Sequence, residues 1–233
     1  MIGRPRVHHR LTDSTNERAK ELARAGAPHG TLVTASEQSA GRGRQGRAWT
    51  APPGTAVLMS AVVRGLQPRH TLLPLASAVA VCEASEALVP VECAIKWPND
   101  VWIDGRKLAG ILIEGRPQEG WAVIGIGLNV RTGADEFPPE LREIATSLAA
   151  ASGAALDPED VLGELLARLE RRIEDEPGTV LDAWAERDAL RDRTVRWQDG
   201  EGTAAGVDRD GALLVDTDAG RVSLDAGEVH LRG

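Results

Sequence analysis

The sequence predicts an α/β chain: a mixed, mostly antiparallel sheet with helices packed on it, followed by a small β-barrel. Three observations carry this. Apolar runs of strand length alternate with helix-length stretches between residues 15 and 191. Asp104-Gly105 separates two short runs, as in a two-residue hairpin between antiparallel neighbours. After Arg191, five short strand-like runs fall within about 40 residues. The chain has 233 residues, 42% hydrophobic and 27% charged, enough for one large domain and a small appendage. We set the division at 1–190 and 191–233. Five short strands bury little surface alone, so the second part is expected to dock on the first.

The elements follow in order. Ser14-Thr15-Asn16-Glu17 has the form of a capping box, and Gly26 stands where a helix ends, predicting a helix over Thr15–Ala25. Thr31–Ser36 reads as a strand, and Glu37–Trp49, without periodicity, as a loop. Ala56–Arg64 reads as a buried strand and Leu72–Leu88 as a buried helix. Short strands are expected at Ala94–Trp97 and Val101–Ile103, and longer ones at Ala109–Glu114 and Trp121–Asn129. Pro158–Glu174 and Thr179–Arg191 read as amphipathic helices. The terminal runs are Thr194–Trp197, Gly202–Val207, Ala212–Asp216, Arg221–Leu224 and Val229–Leu231.

Charge and composition exclude several classes. The net charge of −8 argues against a protein that coats nucleic acid. Two cysteines, Cys82 and Cys93, make no disulfide framework and have no zinc spacing. The polar, basic start from Met1 to Arg10 has no apolar signal core, and no run of about 18 apolar residues reads as a membrane span. The expectation is a soluble cytoplasmic protein.

Four segments carry chemistry. Gly41-Arg42-Gly43-Arg44-Gln45-Gly46-Arg47 packs three arginines and three glycines without an acid. Arginine forks match phosphate or carboxylate oxygens, and glycine lets backbone approach a ligand. A polyanion-wrapping loop and a solvated basic loop fit this composition about equally. Lys96-Trp97-Pro98-Asn99-Asp100 and Arg106-Lys107 flank the hairpin, so both lysines can face one site beside an amide and a carboxylate. Gly125 and Gly127 lie on one face of a strand, leaving room either for a flat ligand or for a tightly packed helix. Asn129, at that strand's end, can read a base or hold a metal-bound water. Ser14, Thr15 and Asn16 open a helix, where capping and binding of a polar ligand can coexist.

Taken together, Asp13-Ser14-Thr15-Asn16, the 41–47 run with Trp49 after it, KWPND at 96–100, RKLAGILIE at 106–114 and GIGLN at 125–129 resemble the biotin protein ligases. The tail resembles that family's small SH3-like barrel in 210–214 and 227–232. The resemblance implies a two-step reaction, with biotin, ATP and Mg²⁺ giving biotinoyl-5′-AMP and pyrophosphate. A lysine of a biotin carboxyl carrier domain, of acetyl-CoA carboxylase or a related carboxylase, then attacks the anhydride. It implies that Arg44 and Lys107, supported by Lys96 and Arg47, stabilise the phosphoryl transition state. Ser14, Thr15 and Gln38 would bond the ureido ring. Backbone N–H at Arg42 and the small Gly41, Gly43, Gly110, Gly125 and Gly127 would shape the slot, and Trp49 would cover it. Asn99 and Asn129 would meet adenine or metal, and Asp100 would orient Lys96 or accept the incoming lysine's proton. Arg232 would reach back to the nucleotide.

Only twelve residues precede Asp13, so the DNA-binding domain of some relatives, and DNA as a partner, is not expected. Ser39 stands where relatives often carry a second Gln. No membrane partner is expected, and dimerisation through sheet edges is a family feature that the resemblance raises. The competing readings are a lipoate–protein ligase, a nucleic-acid-binding module using the arginine loop, and a ligand-binding pseudoenzyme.

Overall fold

The computed structural model describes residues 1–225 and 227–231. The first sheet contains β1 (Arg6–His9), β2 (Leu32–Ala35), β3 (Ala56–Arg64), β4 (Ala94–Lys96), β5 (Asp100–Ile103), β6 (Arg106–Arg116) and β7 (Trp121–Asn129). Their order is β1-β2-β3-β7-β6-β5-β4. Every neighbouring pair is antiparallel except β1 with β2, so the sheet is mixed and mostly antiparallel as expected. Asp104 and Gly105 join β5 to β6 with φ of 50° and 75°, the double positive φ that an Asp-Gly hairpin turn requires. The sequence did not announce β1. It is an exposed, basic edge strand, and an edge strand needs ladder bonds rather than an apolar face.

The helices are α1 (Thr15–Arg24), α2 (Leu73–Leu88), α3 (Leu148–Ser152), α4 (Pro158–Arg172) and α5 (Pro177–Ala185). The sheet alternates its side chains between two covers. Val33, Val62 and Val123 meet Ala19 and Ala23 of α1 on one face. Met59, Ala61, Val63, Ile124 and Ile126 belong to the larger core formed with α2, α4 and α5. The α5 helix stops at Ala185, short of the expected Arg191, because the chain then ladders onto β4. Ile95 N donates to Arg187 O at 2.6 Å, and Ala189 N donates to Ile95 O at 3.0 Å.

Contrary to the sequence expectation, Pro68–Leu88 is long and apolar enough to cross a membrane by length and composition. In this fold it is a core helix. Ala78, Val79, Ala80 and Val81 are all fully buried, so both of its faces need apolar residues.

The second sheet comprises β8 (Thr194–Trp197), β9 (Gly200–Val207), β10 (Leu213–Thr217), β11 (Gly220–Leu224) and β12 (His230–Leu231), ordered β11-β10-β9-β8-β12. The expected strands are present, but among the described residues no ladder joins β11 to β12, so no barrel closes. The two-residue β12 spends its pairing on β8. The sheet does dock as expected. Val195, Ala204, Leu213 and Val215 join the main core, and Trp97 Nε1 donates to Gly211 O at 3.0 Å.

Candidate active site

One cleft lies over the sheet beyond the N-terminus of α1. It gathers Ser14, Thr15, Asn16, Gln38, Arg42, Gly43, Arg44, Arg47, Trp49, Lys96, Asn99, Asp100, Lys107, Gly110, Gly125 and Gly127. Residues more than 100 apart in sequence therefore converge on one site, and Gly227, Glu228 and Val229 bring the second sheet to its rim. Gly41 is not in the lining. It is buried under the loop, where a Cβ would stand 2.3 Å from Trp49 O. Arg232 lies outside the described residues.

One end of the cleft is neutral and internally bonded. Ser14 is the N-cap of α1 but makes no side-chain capping bond. The expected capping box does not form because Glu17 is taken by Lys20 at 2.7 Å and by Arg42. Thr15 N donates to Gln38 Oε1 at 2.7 Å, and Thr15 Oγ1 lies 3.1 Å from the same atom. Ser60 of β3 lies 2.8 Å from Thr15 Oγ1 and 2.5 Å from Asn16 Oδ1. Asn16 Nδ2 donates to Leu112 O at 3.3 Å and to Glu114 Oε2 at 3.0 Å.

The two strand glycines have different uses. A Cβ at Gly125 would meet Asn16 Oδ1 at 2.0 Å, so Gly125, itself in the cleft lining, leaves room for Asn16 of α1. A Cβ at Gly127 would meet the Trp49 ring at 2.4 Å, and one at Gly110 would meet Trp49 at 3.2 Å and Lys107 Nζ at 3.3 Å. Gly127 and Gly110 thus form a ledge for a flat ring, and the indole lies on it.

The other end is cationic. The chain has only three lysines, and two of them, Lys96 and Lys107, line this cleft with Arg42, Arg44 and Arg47. Lys107 Nζ lies 2.7 Å from Asp100 Oδ1 and 5.7 Å from the centre of the Trp49 ring. Lys96 Nζ stands 5.3 Å over Trp102. Burial pushes the Lys96 ammonium below its ordinary pKa; Lys107 and Arg47 add to this while Asp100 opposes it. Burial likewise lowers Arg44, with Arg47 adding and Asp100 opposing. Like charges held this close gain from an anionic ligand that offsets their repulsion.

Three sequence expectations change in detail. The direct ion-pair partner of Asp100 is Lys107, not Lys96. The Asn99 amide already has protein partners: Nδ2 donates to Ile111 O at 2.8 Å, and Oδ1 accepts from Arg44 Nη1 at 3.4 Å, so this residue steers Arg44. Asn129 lies outside the cleft lining. Its Nδ2 donates to Thr146 O at 3.0 Å, and it borders a second cavity with Thr132 and Phe137. Thr146 N donates in turn to Lys107 O at 2.9 Å, so Asn129 fastens the segment that seats Lys107. Sequence reasoning missed Ser60, Lys20 and Glu114. A serine inside the apolar run Ala56–Arg64 was the available signal for the first.

Comparison with known proteins agrees with this geometry. Residues 8–130 match the biotin/lipoate A/B protein ligase family, and residues 191–232 match the biotin protein ligase C-terminal domain. The chain belongs to this ligase family. It is 37% identical to the bifunctional ligase/repressor BirA of Bacillus spizizenii, over 99% of this chain and 75% of that protein. It is 36% identical to the biotin–[acetyl-CoA-carboxylase] ligase of Mycobacterium tuberculosis, over 95% of this chain and 87% of that one. Among solved structures, the biotin protein ligase of Aquifex aeolicus in complex with biotin and ATP superimposes with a TM-score of 0.84 at 29% identity, covering 98% of this chain and 99% of that one. The ligase fold therefore extends through the second sheet.

Proposed function

We propose that this chain is an ATP-dependent biotin–protein ligase acting in the cytoplasm. Its acceptor is a lysine of a biotin carboxyl carrier domain, of acetyl-CoA carboxylase or a related carboxylase. The observation that carries the reading is the cleft itself, where a neutral hydrogen-bonding end runs into five clustered cations across a glycine ledge. A neutral head group with a carboxylate tail, meeting a nucleotide triphosphate, needs both ends at once. We assign the catalytic part to 1–190 and an accessory part to 191–233.

In the first step a biotin carboxylate oxygen attacks the α-phosphorus of ATP. The bond to the departing pyrophosphate breaks, and an acyl adenylate forms. Two anions must approach, so fixed positive charge is the main requirement. Lys107 and Arg44 supply it, with Lys96 and Arg47 beside them. Lys107 is anchored by its backbone bonds to Ile144 and Thr146, and Asn99 steers Arg44. Mg²⁺ would come with the nucleotide. Among the described residues no three His, Cys, Asp or Glu side chains cluster as a resident metal cage. Asp100, a carboxylate lining the cleft among the cations, would help hold the ion, which would offset charge on the phosphates.

In the second step the carrier amine attacks the acyl carbon, AMP leaves, and the amine gives up its proton. Asp100 leaves its pair with Lys107 as phosphate takes that ammonium, which frees it to receive this proton. Trp49, over the ledge, keeps water from the anhydride.

The test is intact-mass analysis of a carrier domain mixed with the protein, biotin and MgATP, with lipoate and a lipoyl domain in parallel. A gain of one biotin that requires ATP is the expected result. A gain with lipoate alone would move the protein to the sister activity, and no gain with either, together with no pyrophosphate release, would overturn the reading.

A further inference from the structure

The neutral end of the cleft is wired to an ion pair outside its lining. Lys20 of α1 lies 2.8 Å from Glu114 Oε1, and Glu114 Oε2 accepts from Asn16 Nδ2 at 3.0 Å. Neither Lys20 nor Glu114 lines the cleft. Both are largely buried, with side chains 11% and 22% exposed. Burial of Glu114 favours the neutral acid, but the bonds from Lys20 and Asn16, with the charges of Lys20 and Arg42, outweigh it and hold the carboxyl below its ordinary value. Glu114 is therefore an acceptor only.

That single fact sets the direction of every bond downstream. The Asn16 amide must turn its NH₂ to Glu114 and its oxygen to Ser60. Ser60 has one proton, and Asn16 Oδ1 at 2.5 Å can only accept, so the proton goes there. Ser60 then has none to give to Thr15, 2.8 Å away. The Thr15 proton is spent inward, on Ser60 or on Gln38 Oε1 at 3.1 Å. The Thr15 oxygen is left to accept from a ligand. Gln38 Oε1 is likewise held by Thr15 N, which leaves its NH₂ to donate.

The geometry points to Glu114, held by Lys20, as a positioning residue that fixes the polarity of the head-group end: Thr15 presents an acceptor and Gln38 a donor. This is the complement of a ureido ring, which carries N–H donors flanking a carbonyl. The inference rests on the biotin reading above and adds to it the residues that orient the contacts. Asn16 is then a relay rather than a ligand contact, and Gly125 is glycine so that the relay fits.

A charge-relocating swap tests this by calorimetric titration of biotin into the full chain without nucleotide. Asn16→Asp puts two carboxylates against each other and removes the donor to Glu114. Loss of a charged, buried hydrogen bond predicts weaker biotin binding by about 30-fold or more. Glu114→Gln alone keeps an oxygen but lets both amides flip, and is expected to weaken binding by about 5- to 10-fold. In the double variant the amide introduced at position 114 donates to the carboxylate introduced at position 16. That carboxylate accepts from Ser60, and the original polarity returns. Affinity should recover to within about threefold of the parent. In turnover assays the loss should appear in KM for biotin, with KM for ATP unmoved, a split that general loosening of the fold would not give.

A double variant as weak as Asn16→Asp, or Glu114→Gln equal to the parent, overturns the inference. Should Asn16→Asp fail to fold, Ser60→Ala cuts the same relay without a charge and must also weaken biotin; parental affinity there overturns it equally. A parent chain that binds no biotin would instead defeat the functional reading beneath it.

Discussion

The two ends of the cleft are built by opposite means. The head-group end uses Thr15, Asn16 and Ser60, all at most 4% exposed, on the start of a helix and the middle of a strand. Their side-chain donors are bonded within the protein, so the end stands pre-formed. The phosphate end uses an irregular loop and a hairpin. Three of its five cations are held by the chain's own carboxylates: Lys107 by Asp100, Arg42 by Glu17, Arg47 by Glu228. Arg42 and Arg47 are 48% and 58% exposed, and exposed pairs of this kind contribute little to stability. On the proposed reading, these pairs would hold charge in place until a polyanion takes it over. On the proposed reading, selectivity for a small neutral group would come from a fixed hydrogen-bond pattern, and handling of phosphate from exchangeable ion pairs.

The largest effect should come from breaking the phosphate end at its most anchored member. Lys107→Ala is expected to slow adenylate formation by about 10²–10³-fold, as for loss of one transition-state donor. Pyrophosphate release measures this, and a rate within about threefold of the parent would remove Lys107 from the chemistry.

A smaller effect sharpens the contrast between exchangeable and permanent pairs. Glu83 of α2 is paired with Arg171 at 2.6 Å and with Arg172 of α4, and the Glu83 and Arg172 side chains are only 13% and 11% exposed. Burial alone would raise Glu83, but the bonds and charge of Arg172, aided by Arg171, hold it below its ordinary value. A carboxylate lowered on folding adds stability above its unfolded pKa and loses it as pH falls through the folded value. Glu83→Gln should therefore cost about 1–2 kcal/mol at neutral pH. That deficit should close as pH drops below the ordinary glutamate value of 4.5. Urea unfolding of both proteins across pH reads this, and a deficit independent of pH would show that the pair adds nothing through charge.

Much of this was legible in the sequence where the signal was local. The Asp104-Gly105 hairpin, the apolar helix α2 and the Gly/Arg loop each declare themselves within a dozen residues or so. The convergence of 14–16, 42–49, 96–100, 107–110 and 125–127 on one cleft was legible as a motif series, not as geometry. What escaped depended on partners far away in the chain. The β1 strand has no apolar alternation because its outer edge faces solvent. Gly125 and Gly127 look alike in sequence, yet one accommodates Asn16 and the other Trp49. Glu114 and Lys20 look like ordinary surface charges until α1 is laid on the sheet and joins them at 2.8 Å.

The division of labour is tested most directly by titrating biotin and biotinoyl-AMP separately into the parent chain and Arg44→Ala. Arg44 sits at the cationic end, steered by Asn99, and among the described residues makes no bond to the head-group network. Biotin affinity should stay within about threefold, while biotinoyl-AMP should weaken by at least about tenfold, the scale of one lost charge-assisted contact to phosphate. Equal losses for both ligands would contradict a cleft divided into a neutral end and a cationic end.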